Sequence, residues 1–170
     1  MILRQLDPTQ LGDHVDRLYR AAWAICGRRE DAEDLVQDTY ARVLTKPRLL
    51  RNEDDLGYLL RVLRNTHVSR LRAAARRPVS APLHDDDGAI GPGWGDPEAG
   101  LAASELFAVI AALPDAQRDA LVAVDVAGLS YREAARALRV KEATVTTRLH
   151  RARRAVAAEL REPVLARASA

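Results

Sequence analysis

Two short helices joined by a tight turn are predicted by residues 129–156, which read LSYREAARALRVKEATVTTRLHRARRAV. Ser130 precedes Glu133 by three residues, so its hydroxyl can accept from the Glu133 amide while the Glu133 carboxylate accepts from the Ser130 amide. This pattern predicts a helix that starts at Ser130 and ends near Arg139. Any fold of this chain must therefore accommodate a closely spaced helix pair.

The second helix of this pair has two chemically different sides. At ~100° per residue, an apolar sector is formed by Val145, Leu149, Ala152 and Val156. The remaining surface carries hydroxyl and basic groups, which bind base edges and phosphates. We predict a DNA-binding face made of Thr144, Thr146, Thr147, Arg148, His150, Arg151 and Arg154. The alternative is a solvated basic face, but the capped partner helix and the turn favour DNA binding.

The whole chain is predicted to be all-α. Seven of its 170 residues are aromatic and β-branched runs are absent, which favours helices over strands. Residues 78–100 combine proline, five glycines and five acids without helical periodicity. We therefore predict two small helical bundles, residues 1–78 and 101–170, joined by a flexible acidic linker at 79–100 that lets them move independently. The second bundle contains the helix-turn-helix.

Apolar spacing divides each bundle further. In the first bundle, helices are predicted at about 11–26, 29–45 and 54–76; in the second, helices at 101–113 and 116–127 precede the helix pair. Val15 and Leu71 belong to the predicted inner stripes. In the second helix, Asp34, Gln37, Asp38 and Ala41 point outward, and acids near its start also suit the helix dipole.

The third helix places an aromatic residue, an amide, a serine and three arginines on one stripe. This stripe consists of Tyr58, Arg61, Asn65, Ser69, Arg72 and Arg76. Arginines can hold phosphates while a ring and an amide bind unpaired bases, so the stripe indicates single-stranded nucleic acid as a ligand. The alternative is an exposed arginine face with an incidental tyrosine.

The charge distribution agrees with a nucleic-acid partner. The net charge is only +2, but residues 60–77 contain six arginines and no acid, whereas residues 81–100 contain five acids and no base. The single cysteine, Cys26, excludes an internal disulfide and is expected to be a small core residue. Four scattered histidines predict no metal site, and we expect no cofactor.

The compartment is predicted from the same sequence. No apolar run approaches the ~18 residues of a membrane span, and no signal peptide opens the chain. A cytoplasmic protein without membrane insertion is expected.

Three segments together resemble bacterial RNA polymerase sigma factors of the extracytoplasmic-function group, which is group 4 of the sigma-70 family. The segment DAEDLVQDTYARVL at 31–44 is similar to the family's clamp-binding helix, and YLLRVLRNTHVSRLRAAARRP at 58–78 to its minus-ten helix. Residues 113–156 are similar to its minus-thirty-five domain. The resemblance covers nearly the whole chain, and three motifs in this order are far more specific than one helix-turn-helix.

The resemblance implies a non-enzymatic factor for promoter-specific transcription initiation in a stress response. Its implied partners are core RNA polymerase, promoter DNA and an anti-sigma protein. Contacts to the clamp of the largest subunit are implied for Asp34, Leu35, Gln37, Asp38 and Ala41. Minus-ten contacts are implied for the third-helix stripe, minus-thirty-five contacts for the last helix, and contacts to the flap of the second-largest subunit for apolar surfaces between Leu113 and Val126.

The chain departs from the family pattern at four positions. Tyr58 and Ser69 stand where tryptophan and aspartate are common, and Thr146 stands at a frequent lysine position. Arg139 replaces a frequent turn glycine. A left-handed backbone there costs roughly 1 kcal/mol or more, so either that cost is incurred or the turn has another geometry.

Two other classes of protein compete with this interpretation. A DNA-binding regulator that works without polymerase explains residues 129–156 equally well, but not the stripe from Tyr58 to Arg76. A helical enzyme using paired carboxylates is less favoured, because Asp31, Asp34 and Asp38 lie on a predicted exposed helix without a pocket.

Overall fold

Among the described residues, the first half of the fold forms a 3₁₀ helix, three α-helices and a small β-ribbon. A computed structural model describes residues 3–6, 8–46, 49–51, 54–76 and 97–168. A 3₁₀ helix at Pro8–His14 runs into α1 (Val15–Cys26), followed by α2 (Arg29–Thr45) and α3 (Asp55–Ala75). The strands β1 (Leu3–Gln5) and β2 (Leu49–Arg51) pair antiparallel, Leu3 opposite Arg51. The sequence did not predict this ribbon; the rest of the described chain agrees with the all-α prediction.

Within residues 97–168, the second half forms four α-helices and an irregular turn. These are α4 (Pro97–Ala111), α5 (Asp115–Leu121), a π-helical turn (Val122–Val126), α6 (Tyr131–Leu138) and α7 (Glu142–Ala168). The predicted helix at 116–127 is therefore α-helical only in its first part. The linker boundary also changes, because the last four residues of the predicted linker form the first turn of α4. The predicted flexible segment before Pro97, including Trp94, lies outside the described residues.

Local signals fix most helix ends. Gly27 ends α1 in the left-handed region with φ 76°, and its amide donates to Trp23 O at 2.7 Å. Asp54 caps α3 by accepting from the Gly57 amide at 3.4 Å.

The two expected core residues Val15 and Leu71 are 41% and 54% exposed, so both predictions of burial are wrong. They lie where neighbouring helices no longer cover the predicted stripe.

The two halves pack against each other, which differs from the prediction of independently moving bundles. Trp23 of α1 meets Phe107 of α4 edge to face, with ring centroids 4.7 Å apart, and both side chains are buried. A Cβ at Gly27 would lie only 3.0 Å from Ala111 Cβ. Buried residues of both halves form one continuous hydrophobic cluster. The physical reason is that α1 has apolar side chains toward both α2 and α4. The apolar pattern of α1 alone does not show that α4 packs on it.

Candidate nucleic-acid interface

The α6–α7 pair is held by the predicted capping box. The Ser130 amide donates to Glu133 Oε2 at 2.8 Å, and the Glu133 amide donates to Ser130 Oγ at 3.2 Å. Bonds from Ser130 are also the main reason that the pKa of Glu133 is lowered. This confirms the predicted start of α6. Leu129, just before the cap, is buried.

Arg139 adopts the left-handed conformation, with φ 56° and ψ 45°. The turn thus retains the backbone geometry that suits glycine and incurs the strain of a side chain there. The Val140 amide donates to Ala135 O at 3.0 Å, which is the pattern of a Schellman-type helix end. The alternative of a different turn geometry is excluded, and α7 starts at Glu142.

The predicted face of α7 is open to solvent, and its predicted inner side is buried. Val145, Leu149, Ala152 and Val156 are all buried. Thr144 and Arg148 are half-buried at the edges of the opposite surface, and its exposed members are Thr146, Thr147, His150, Arg151 and Arg154. We call these seven side chains the recognition face.

The threonines of this face have a defined chemistry. Thr146 and Thr147 hydroxyls donate to the carbonyls four residues back, Glu142 O at 3.1 Å and Ala143 O at 3.0 Å. With the hydroxyl proton engaged, each oxygen can accept from a base amino group, and each methyl can contact thymine. The arginines supply the complementary donors.

Arg153 lies on the same helix but has a structural partner. Its Nε and Nη2 donate to the two carboxylate oxygens of Asp125 at 2.9 and 2.7 Å. This bidentate pair raises the pKa of Arg153 and ties α7 to the π-helical turn. Sequence patterns do not predict this pairing, because the partners are 28 residues apart.

The α3 stripe is open over most of its length. Asn65, Ser69, Arg72 and Arg76 are exposed and Arg61 is half-buried. Tyr58 is only 6% exposed, so the prediction that its ring is available to a base is wrong for this arrangement. The first turns of α3, residues 55–60, are all buried where α6 packs, and a Cβ at Gly57 would lie 3.8 Å from Ala137 Cβ. Arg61 Cζ lies 5.6 Å from the centroid of the Tyr58 ring.

Two further arginines of α3 bind acids within the protein. Arg70 donates to Asp38 Oδ2 through Nε at 3.0 Å and Nη2 at 2.6 Å, and Nη2 also donates to Asp34 O at 2.9 Å. Arg64 forms an ion pair with Asp119 of α5. Some arginines of α3 therefore face solvent, whereas others pair with acidic side chains of the protein. The amino-acid composition alone does not distinguish the two groups.

The predicted polymerase-binding surface lies on α2 and needs one correction. Asp34, Gln37 and Ala41 are exposed and Asp38 is half-buried beside Arg70. Leu35 is 0% exposed, so it is a core residue and not part of this surface. The reason is that the inner stripe of α2 is wider than predicted, since both α1 and α3 pack on it. We refer to Asp34, Gln37, Asp38 and Ala41 as the α2 face.

The apolar segment expected to dock the flap is largely internal. Leu113 and the run from Ala120 to Ala123 are buried, whereas Val124 and Val126 are half-buried. Of these residues, Val124 and Val126 reach the surface, and Pro114 and Ala116 of the same segment are exposed as well.

Cys26 behaves as a core residue. It is half-buried, its Sγ lies 3.8 Å from His67 Nδ1, and burial raises the pKa of its thiol to about 11. A thiol with so high a pKa is a poor nucleophile near neutral pH. Burial likewise lowers the pKa of His67. Across the part of the chain that the structure describes, there is no group of three or more His, Cys, Asp or Glu side chains arranged to hold a metal ion.

None of the helices in the described ranges has the length and apolarity needed to cross a lipid bilayer.

Together, the fold and the two exposed faces define a helical nucleic-acid-binding protein with a helix-turn-helix. The family described as Sigma-70 region 2 matches residues 11–77, and the family described as Sigma-70, region 4, matches residues 104–156. The chain belongs to the extracytoplasmic-function (ECF) RNA polymerase sigma factors of the sigma-70 family.

Individual relatives agree with this assignment. The chain is 34% identical over 144 residues to the ECF RNA polymerase sigma factor SigE of Mycolicibacterium smegmatis, covering 82% of this chain and 56% of that relative. It therefore spans little more than half the length of SigE. The ECF RNA polymerase sigma factor EcfG of Rhodopseudomonas palustris is 31% identical over 153 residues, covering 86% of this chain and 80% of EcfG.

The fold also has a solved counterpart. The sigma factor RpoE of Bartonella quintana, solved in complex with the anti-sigma factor NepR, superposes with a TM-score of 0.66. The match covers 90% of this chain and 95% of the other, at 22% identity. At that identity, the likeness concerns the fold.

Proposed function

We propose that this protein binds core RNA polymerase and directs it to promoters that carry a minus-ten and a minus-thirty-five element. The observation that carries the proposal is the presence of both sigma regions in one chain, each with an exposed basic helix face backed by a buried apolar side. A regulator acting without polymerase needs only the second of these faces.

The recognition face is the proposed reader of the minus-thirty-five duplex. An α-helix fits the major groove, where arginine can bind guanine and threonine can meet amino or methyl groups. The exposed part of the α3 stripe is the proposed minus-ten surface. Asn65 can hydrogen-bond an unpaired base there while Arg72 and Arg76 hold phosphates. Strand separation then follows from preferential binding of the open strand, with no nucleotide hydrolysis and no chemistry on the DNA.

Core polymerase is the proposed scaffold for the two halves. The acids of the α2 face would bind the clamp of the largest subunit, and the second half would bind the flap of the second-largest. Fixing the separation of two weak DNA contacts turns the second into an intramolecular event and raises the overall affinity. An anti-sigma protein is the proposed inhibitor, and the cytoplasm, where polymerase works, the proposed compartment.

Run-off transcription tests the proposal most simply. Purified core and this protein should yield a discrete transcript from a template that carries the matching promoter, and scrambling either element should abolish it. Candidate templates come from sequencing the transcripts that the reconstituted enzyme makes on genomic DNA. Specific DNA binding by the protein alone, without any support of initiation, would favour the polymerase-independent regulator instead.

A further inference from the structure

The arrangement of the halves conflicts with simultaneous reading of both promoter elements. At ~3.4 Å per base pair, the two elements lie roughly 80 Å apart along straight duplex DNA. A compact body of 170 residues has a radius of gyration of about 15 Å and is about 40 Å across. The closed protein is too small to place α3 and α7 on both elements at once, so the halves must separate before both are bound.

The closed interface also covers part of the DNA-binding surface. Tyr58 is buried where α6 packs on α3, and Arg64 is held by Asp119 of α5. Arg17 of α1 donates to the carbonyls of Ala127 and Gly128 at 2.8 and 3.2 Å. Each of these contacts joins the first half to the second, over sequence separations of 55 to 111 residues. All of them are therefore lost when the halves separate.

Arg64 stands out among them because of its place on α3. It follows Arg61 by three residues and precedes Asn65 directly, so it borders the α3 stripe. Its side chain is 39% exposed even while paired, whereas that of Asp119 is 6% exposed. The carboxylate of Asp119 accepts from the Nε–H of Arg64, a donor that a phosphate oxygen could otherwise use.

We propose that Arg64 is a further minus-ten DNA contact, that Asp119 masks it in the free protein, and that this ion pair helps to hold the two halves closed. The inference rests on the proposed promoter function. Opening exchanges the Arg64–Asp119 pair for an Arg64–phosphate pair, so the cation keeps a partner in both states.

The closure arm of the test uses the full chain alone and needs no polymerase. Small-angle X-ray scattering should give a compact free wild-type protein, whereas Asp119→Asn should raise the radius of gyration by about 3 Å or more. Arg70→Ala is the matched control: Arg70 lies on the same helix and also pairs with an acid, but within its own half, so the radius should not change. Circular dichroism verifies that each variant keeps its helices.

The DNA arm uses the holoenzyme and a premelted promoter fragment. Arg64→Ala should weaken binding about five-fold and lower the slope of log Kd against log salt by about 0.7, the value for one phosphate contact on a single strand. Asp119→Asn should leave both quantities unchanged, since Arg64 is already released in the holoenzyme. The swapped pair Arg64→Asp with Asp119→Arg should restore the compact free form but not the DNA binding.

An unchanged radius of gyration in Asp119→Asn would overturn the masking role. An unchanged salt slope for Arg64→Ala would overturn the DNA contact. Failure of the proposed function is distinguishable from either result, because no holoenzyme would then form and run-off transcription would be absent, while scattering would still report on closure.

Discussion

At the scale of single residues, arginines of this chain divide into two groups that composition cannot separate. Arg151 and Arg154 are exposed on the recognition face, whereas Arg153 between them is bonded to both carboxylate oxygens of Asp125. The same division holds on α3, where Arg72 is exposed and Arg70 binds Asp38. A basic segment therefore contributes both ligand contacts and structural ion pairs.

Arg151→Ala and Arg153→Ala should have different effects. The first should weaken binding of duplex minus-thirty-five DNA by about 1–3 kcal/mol while leaving the melting temperature unchanged. The second should lower the melting temperature slightly, because it removes a partly exposed bidentate ion pair that ties α7 to the π-helical turn. Fluorescence anisotropy and thermal denaturation measure the two properties.

Asn65→Ala provides the reciprocal control. It should impair capture of a premelted minus-ten strand and leave binding of the upstream duplex intact, the reverse of Arg151→Ala. If both substitutions impaired the same step equally, the proposed division of labour between α3 and α7 would be wrong.

At the scale of elements, the turn between α6 and α7 carries strain at Arg139. Its φ of 56° is a conformation that glycine adopts without the steric cost of a Cβ. Arg139→Gly should therefore stabilise the protein by up to about 1 kcal/mol, partly offset by the greater freedom of glycine in the unfolded chain. Urea denaturation measures this, with Arg139→Lys as a control that keeps the strain. A lower unfolding midpoint for the glycine variant would contradict the account.

The start of α6 should show a pH-dependent cap. Ser130→Ala should lower the free energy of unfolding by about 1 kcal/mol near neutral pH. Because the folded-state pKa of Glu133 lies below its ordinary value of 4.5, its stabilisation is present above that value and is lost as pH falls through the folded pKa. The difference in the free energy of unfolding between Ser130→Ala and the wild type should therefore become smaller at acidic pH. Urea denaturation at several pH values from neutral to acidic measures this difference in free energy. A difference that does not change with pH would refute the prediction.

The α2 face can be tested without disturbing the fold. Asp34 is exposed and only its backbone carbonyl is bonded by Arg70, so Asp34→Lys should abolish binding to core polymerase and leave the melting temperature unchanged. Asp38→Lys is the informative comparison, because it also removes the carboxylate that Arg70 binds and should cost stability as well. Retained core binding by Asp34→Lys would exclude this face as the clamp contact.

These elements also show what the sequence could predict. The bounds of α2, the cap of α6 and the inner side of α7 depend on periodicity and on neighbours within a few residues, and all were predicted correctly. The burial of Tyr58 and Leu35 depends on which helices pack across them, and the Arg64–Asp119 pair joins positions 55 residues apart. A single sequence has no signal for such contacts, so the exposure of Tyr58 and Leu35 was predicted wrongly.

At the scale of the whole molecule, the proposed function requires an arrangement of the two halves that differs from the closed one in the structure. The free chain packs α1 against α4 and α3 against α6 around a continuous apolar cluster. The proposed reading of both promoter elements requires a separation that this closed body cannot span. Core polymerase therefore has two tasks in this account, to favour the open arrangement and to fix the distance between the DNA-binding faces.

The most direct test of this central claim is a comparison of promoter binding by the free chain and by the holoenzyme, on a full promoter and on promoters with either element scrambled. We predict that the holoenzyme loses about 100-fold or more in affinity when either element is scrambled, because the contacts are coupled, and that the free chain loses only a few-fold. Equal discrimination by the free chain and the holoenzyme would contradict the account.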